Sequence, residues 1–421
     1  MSVPARAFEV KRGTAGRLRV AVVSIPGLRS VAALLALEAG QWSEPAGRPG
    51  IARLAAQSLL RGTAARDGAS WAAALDDLGA VARMDVGGHV AILSGQCLAP
   101  DLPAYLALAA EAVLRPALAS DQVELVRAET IAAIEEDARN TRGVADRVWR
   151  ELAYPAGHPF RSRPLGDEAV VRAATVADLR EFHSREILGR GGVLVLVGGI
   201  RPADALDAAR EAFASWPDGA PAAERAVPQA AIATLQRRAE VVPDKTQSDV
   251  ILGWLGMPRR DPRFVAARVA NMVFAADTFA SRAGKVVRDK LGLAYYLFST
   301  IAATRGQGAW AVRMGVNPKN VERAIETTVA ELRVVLAGDF PQEDLDLAHD
   351  KLTGELRVAL ESPGGIAQMV LEQELFDLGP DHYVRYADQI RAVTKGQVVE
   401  IARTFLPADR YALAIAGPPL R

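Results

Sequence analysis

Holding a metal on a helix takes two imidazoles one turn apart, because residues at i and i+4 share a face. The 421-residue chain has five histidines, His89, His158, His183, His349 and His382, and no two are four apart. His183 and Glu186 form a His-x-x-Glu fragment, but Ile187 stands where a second imidazole would be needed. Glu135 and Glu136, neighbours in a helical pattern, point to different sides and read as solvated charge. The single cysteine, Cys97, excludes an intrachain disulfide and a Cys-based zinc cluster; its apolar surroundings predict a small buried hydrophobe in a strand rather than a nucleophile. Gly189-Arg190-Gly191-Gly192 precedes a strand, whereas a phosphate-cradling loop follows one and opens a helix. Ser362-Pro363-Gly364-Gly365 has no nucleophile-elbow context and reads as a helix break.

The elements that would carry such residues are those of a globular protein. Half of the chain is apolar, and 50 Lys and Arg balance 50 Asp and Glu, so no electrostatic footprint for nucleic acid or anionic membrane stands out. Arg6, Lys11, Arg12 and Arg17 precede the apolar stretch from Leu18 to Ser24, which is short and ends at Pro26-Gly27. That pattern predicts a strand and turn rather than a signal core, and no run reaches a membrane span. The expectation is a cytoplasmic protein. Leu102, Leu106, Ala109 and Val113 share one face of a helix expected to be N-capped by Asp101 and stopped at Pro116. Leu345, Leu352, Leu356 and Leu360 mark a longer helix, and Val193–Val197, Val250–Trp254 and Tyr411–Ile415 read as strands.

A long-period repeat organises these elements. Val171-Arg172-Ala173-Ala174-Thr175 recurs as Ile390-Arg391-Ala392-Val393-Thr394, offset by 391 − 172 = 219. The run ending at Gly198 recurs as the run ending at Gly417, again offset by 219, and the breaks at Asn140–Gly143 and Ser362–Gly365 correspond at 365 − 143 = 222. Two homologous halves follow, residues 1–216 and 236–421, joined by a Pro- and Ala-rich linker at 217–235. Each half is expected to be α+β, a mainly antiparallel sheet with helices packed on one face.

This layout resembles the M16 (pitrilysin) family of zinc peptidases, and local motifs extend the resemblance over nearly the whole chain. Leu59-Leu60-Arg61-Gly62-Thr63 looks like the family's first helix exit, and Tyr154-Pro155, His158-Pro159-Phe160 and Pro164-Leu165-Gly166 resemble its mid-domain loop. The most specific match is Phe279-Ala280-Ser281-Arg282 followed by Arg288-Asp289-Lys290-Leu291-Gly292-Leu293-Ala294-Tyr295. In active members the first helix carries His-x-x-Glu-His, two zinc ligands with the general base beside them. Anchored on Gly50-Ile51-Ala52, that register here reads Arg53, Leu54, Ala55, Ala56, Gln57, and the family's later glutamate ligand maps near Ala133. The resemblance therefore implies no metal in this chain.

What the resemblance does retain is the family's Arg/Tyr pair, at Arg288 and Tyr295, which in the family faces the zinc across the substrate cavity. A guanidinium can hold peptide carbonyls and a phenol can donate to an oxyanion, so both carry substrate-binding and catalytic roles. Taken alone, Arg288 reads as a helix-surface cation and Tyr295 as a core or edge-strand aromatic. Tyr296 would face oppositely along a strand, leaving Tyr295 for the cavity. The implied protein is the non-metal subunit of a heterodimeric peptidase whose homologous partner binds zinc, with peptides as substrates and no nucleic acid or membrane. The alternative is an inert scaffold or peptide-binding subunit related to the core proteins of respiratory complexes.

Overall fold

A computed structural model describes residues 8–216 and 228–419. In the first half run strands β1 (Val10–Ala15), β2 (Leu18–Ser24), β3 (Ser30–Leu37), β4 (Val81–Val86), β5 (Ala91–Leu98) and β6 (Val193–Gly198). Its helices are α1 (Ile51–Ser58), α2 (Gly68–Asp77), α3 (Leu102–Leu114), α4 (Ser120–Ala138), α5 (Thr141–Ala153), α6 (Glu168–Ala173), α7 (Val176–Glu186) and α8 (Pro202–Ala212). The second half has β7 (Gln236–Val241), β8 (Ser248–Leu255), β9 (Ala294–Ile301), β10 (Ala309–Val316) and β11 (Ala412–Gly417). Its helices are α9 (Phe264–Phe274), α10 (Arg282–Gly284, continued by a π-helical turn Lys285–Lys290), α11 (Val321–Ala337), α12 (Gln342–Ala359), α13 (Pro363–Leu375), α14 (His382–Arg391) and α15 (Lys395–Phe405).

The two sheets have corresponding strand orders. One is ordered β1-β2-β6-β3-β5-β4 and the other β7-β11-β8-β10-β9. Setting β1 aside, each has one parallel pair, β2/β6 or β7/β11, followed by antiparallel neighbours. Gly198 and Gly417 close the equivalent strands β6 and β11. The repeated Arg-Ala-x-Thr segments also have one physical meaning. Thr175 caps α7 in a capping box with Asp178, and Thr394 caps α15 in a capping box with Gln397. By contrast, Asp101 makes no side-chain cap on α3, because a 3-10 turn over Ala99–Asp101 leads into the helix and leaves Asp101 outside the extended geometry a capping residue needs.

The compact units do not follow chain order. The described residues of Met1–Ile134, Arg163–Arg225 and Arg357–Pro380 form one unit, and those of Glu135–Ser162, Ala226–Leu356 and Asp381–Arg421 form the other. The linker expected at 217–235 falls largely on residues 217–227, outside the described residues. A cut there would strip each sheet of a helix. In the first unit the helices of its own half cover one sheet face, and α13 covers the other, with Ile366, Ala367, Val370 and Leu371 against Val193, Val195 and Val197. In the second unit α5 packs on β11, β8 and β7 in the same way. Both exchanged helices start at the matched breaks: Asn140 Oδ1 accepts from Arg142 N at 3.0 Å, and Ser362 Oγ accepts from Gly365 N at 3.0 Å.

Trp149, buried in α5, lies over Gly253 of β8, where a Cβ would stand 2.8 Å from the indole nitrogen. Trp149→Ala should therefore cost about 3–5 kcal/mol. In native-state amide exchange the lost protection should appear in β7, β8 and β11, although Trp149 belongs to the first half of the sequence; loss confined to β2, β3 and β6 would contradict the exchange.

Candidate functional site

Arg288 and Tyr295 both belong to the second unit, and two local irregularities position them. Arg288 lies in the π-helical turn Lys285–Lys290, where Leu291 N donates to Val286 O at 3.1 Å. Gly292, at φ +59°, ends the turn in a left-handed conformation that favours glycine, and the chain enters β9. The turn is anchored from outside: the Arg282 guanidinium pairs with Glu331 of α11 and Asp344 of α12, each at 2.7 Å, and Lys285 adds Asp344 at 3.1 Å. Just upstream, Asp277 Oδ1 accepts from Phe279 N and Ala280 N at 2.8 Å, which fixes the approach of Phe279.

Within this frame Arg288 Nε donates to the Tyr295 carbonyl at 3.0 Å, and its guanidinium lies over the Phe279 ring, 4.3 Å from the centroid. Tyr295 is the extra residue of a β-bulge, since Gly315 of β10 pairs with Tyr296 while Val316 pairs with Ala294. Alternation alone does not govern its side chain. The bulge leaves Tyr295 62% exposed on β9, the outer strand of its sheet, with Phe279 63% exposed nearby on the same site.

Tyr296 goes elsewhere. Its hydroxyl donates to Asp249 of β8, reaching across β10 at Gly315, where a Cβ would collide with the ring. Asp249 is buried and also accepts from the Thr141 hydroxyl at the start of α5. Arg142 lies 4.4 Å from the Tyr296 ring centroid and 3.6 Å from the Asp249 carboxylate. Burial first, and then the bond to Asp249, pushes the Tyr296 phenol well above its ordinary range. Sequence reading missed this cluster; the available signal was an acid opening an otherwise apolar strand.

Three of the histidines serve packing. His158 accepts from Phe160 N at 3.0 Å and stacks on Tyr154, His183 Nε2 lies 2.7 Å from Val113 O, and His382 meets Arg259 at 3.1 Å. Cys97 is buried in β5, and burial pushes its thiol up to about 12, away from nucleophile chemistry.

Residues 173–352 match the family model of the peptidase M16 inactive domain. A protein of Streptomyces coelicolor named "uncharacterized zinc protease" is 26% identical over 414 residues, covering 96% of this chain and 88% of its own. Over residues 173–352 this chain is similar to the M16 peptidase family. A Mycobacterium tuberculosis protein of the same description is 26% identical over 424 residues, covering 99% of this chain and 94% of that protein. Among solved structures, a peptidase M16 inactive domain from Pseudomonas fluorescens superposes with a TM-score of 0.91 at 24% identity over 98% of both chains. A protease from Helicobacter pylori gives 0.89 at 17% identity, covering 98% of this chain and all of that one. At these identities the structural likeness is one of fold.

The zinc of active M16 members does not fit this chain. Helix α1 presents Arg53, a cation without a lone pair, the fully buried methyl of Ala56, and the neutral amide of Gln57. Ala133 on α4 offers no ligand, and Glu135 and Glu136 are exposed. Among the described residues no group of three or more His, Cys, Asp and Glu could hold a metal ion. The chemistry of the α1 region is instead that of Arg53 and Glu44. Arg53 Nε is buried with no hydrogen-bond partner, and burial lowers the guanidinium's pKa from its ordinary value. Glu44, missed by sequence reading, caps α1 from outside, accepting from Gly50 N at 2.6 Å and Ala52 N at 3.1 Å.

Burial outweighs those two donors and pushes Glu44 up to about 7. A carboxyl raised in the folded state contributes stability that is complete below the unfolded value near 4.5 and is lost as pH climbs through about 7. Wild type should lose roughly 2–4 kcal/mol of unfolding free energy across that window. Glu44→Gln should flatten the slope, read by urea denaturation at half-unit pH steps.

Proposed function

We propose that this chain is the non-metal subunit of a two-subunit M16 peptidase, presenting Arg288 and Tyr295 to a peptide cleaved at the zinc site of a homologous partner. The observation that carries the reading is the contrast within one chain. The α1 register carries no metal ligand, whereas Arg288 and Tyr295 sit on a π-helical turn and a β-bulge backed by the ion pairs of Arg282 with Glu331 and Asp344.

In this reading Arg288 is held by Phe279 and the Tyr295 carbonyl while the far end of its guanidinium meets a carbonyl of the bound peptide. The Tyr295 hydroxyl donates to the oxygen of the scissile carbonyl as negative charge develops there. Zinc held by the partner would supply the activated water. The chain alone would then be inactive, and it would act in the cytoplasm on extended peptides. Among the described residues no helix is long and apolar enough to cross a membrane.

The test pairs the purified chain with its metal-bearing homologue and follows cleavage of a quenched fluorescent peptide. Tyr295→Phe should lower kcat by about 10²–10³, the scale of a lost oxyanion donor, with little change in KM. Arg288→Ala should raise KM as well. The isolated chain should carry far less than one equivalent of zinc by elemental analysis. Unchanged turnover in both variants would reduce the chain to a scaffold, the reading also favoured if the partner cleaves at full rate alone.

A further inference from the structure

The first unit keeps a chemically distinct site at the place where its zinc ligands are missing. Arg53 projects from the first turn of α1, and among the described residues no hydrogen bond or ion pair reaches it; its Nε is closed to water. A half-buried guanidinium with one nitrogen cut off from water is partly desolvated, and an anion docking on its outer nitrogens would recover part of that cost. The charged groups acting on it are Asp85 and Arg83 of β4. Asp85 acts on it more strongly than Arg83 does, but the same carboxylate also pairs with Arg83 at 3.0 Å on the exposed side of that strand. With one carboxylate shared between two guanidiniums, the local balance is one net positive charge.

Strand β4 is the outer strand of its sheet, and among the described residues it is hydrogen-bonded to β5 alone, so its other edge carries backbone donors and acceptors without strand partners there. Val81, Arg83 and Asp85 are exposed along it. α1 packs beside this strand, so an unsatisfied cation and an open backbone edge adjoin within one unit. An extended segment bearing one negative group fits both features together, because the edge reads main chain and the guanidinium reads charge.

We infer that Arg53 is a carboxylate-binding residue that selects peptides carrying an acidic group, either an Asp or Glu side chain or a free C-terminus, laid along β4. That the ligand is a peptide rests on the function proposed above; that it is anionic rests on Arg53 itself.

The experiment titrates the full chain, without partner, into four fluorescein-labelled ten-residue peptides of Ser, Thr and Val. They carry a central Asp or Asn, each with a free or amidated C-terminus, and anisotropy reports affinity. Peptides with the favoured carboxylate should bind about tenfold or more tightly than their neutral counterparts, the scale of a charge-assisted hydrogen bond. Preference following the central residue assigns the side chain as the source, and preference following the terminus assigns the C-terminal carboxylate. Arg53→Met and Arg53→Gln, checked by circular dichroism, should bring all four within about twofold, and Arg53→Lys should keep part of the preference. Equal or absent binding of all four to wild type overturns the inference, as does a preference that survives in both neutral variants. Because cleavage with the partner reads Arg288 and Tyr295 separately, a preference lost with Arg53 beside unchanged turnover in the Tyr295 and Arg288 variants would sink the peptidase reading and leave this one standing.

Discussion

The exchange of α5 and α13 is the constraint on which the rest of the molecule depends. A sheet with helices on one side only would leave the other faces of β6 and β11 in water, and both strands are buried at every position. Each fully buried Val or Leu contributes roughly 1.5–3 kcal/mol. The second face of each sheet is therefore a major part of each unit's stability, and the covering residues come from the other half of the chain. The polar cluster of Asp249, Thr141 and Tyr296 makes the covering specific. A buried carboxylate satisfied by a hydroxyl at the first turn of α5 and another on β9 fixes where that helix starts along the sheet.

Regular secondary structure sets out the frame, and departures from it aim the candidate side chains. An α-helical turn at 285–290 followed by an unbroken strand would place Tyr295 by simple alternation. The π-helical turn, the left-handed Gly292 and the bulge at Tyr295 together bring the Arg288 Nε to the Tyr295 carbonyl and leave the phenol exposed. None of this is cheap, and the Arg282–Glu331–Asp344 network supplies a rigid base for it.

Much of this was legible in the sequence because it is periodic or repeated. The runs ending at Gly198 and Gly417 were readable as strands since strands buried on both faces lose the polar alternation that would blur them. The Thr175 and Thr394 repeats were readable since a capping box fixes residue types at fixed spacing. The helix breaks at Asn140 and Ser362 were visible too, but not which sheet each following helix covers, because a helix's apolar face does not name its partner. Asp101 misled through its residue type, which says nothing of the 3-10 turn before α3. The Asp249 cluster was invisible for a related reason, since it joins residues 47 and 108 positions apart, and Glu44 was invisible because it reaches Gly50 N from six positions upstream rather than from a capping position. The spacing of Arg288 and Tyr295 was readable only through family resemblance, since neither a bulge nor a π-turn leaves a reliable local signature.

The helix exchange also fixes an order of events during synthesis. β6 is complete at Gly198, but the helix that covers its second face begins only at Pro363, 363 − 198 = 165 residues later. At about 5–20 residues per second the ribosome takes roughly 8–33 s to deliver it. Throughout that interval the nascent first half carries a sheet with one bare apolar face, a surface suited to holdase chaperones. A polypeptide truncated after the linker would never lose that surface, so translation that stalls midway would leave a product destined for aggregation or proteolysis rather than a usable half.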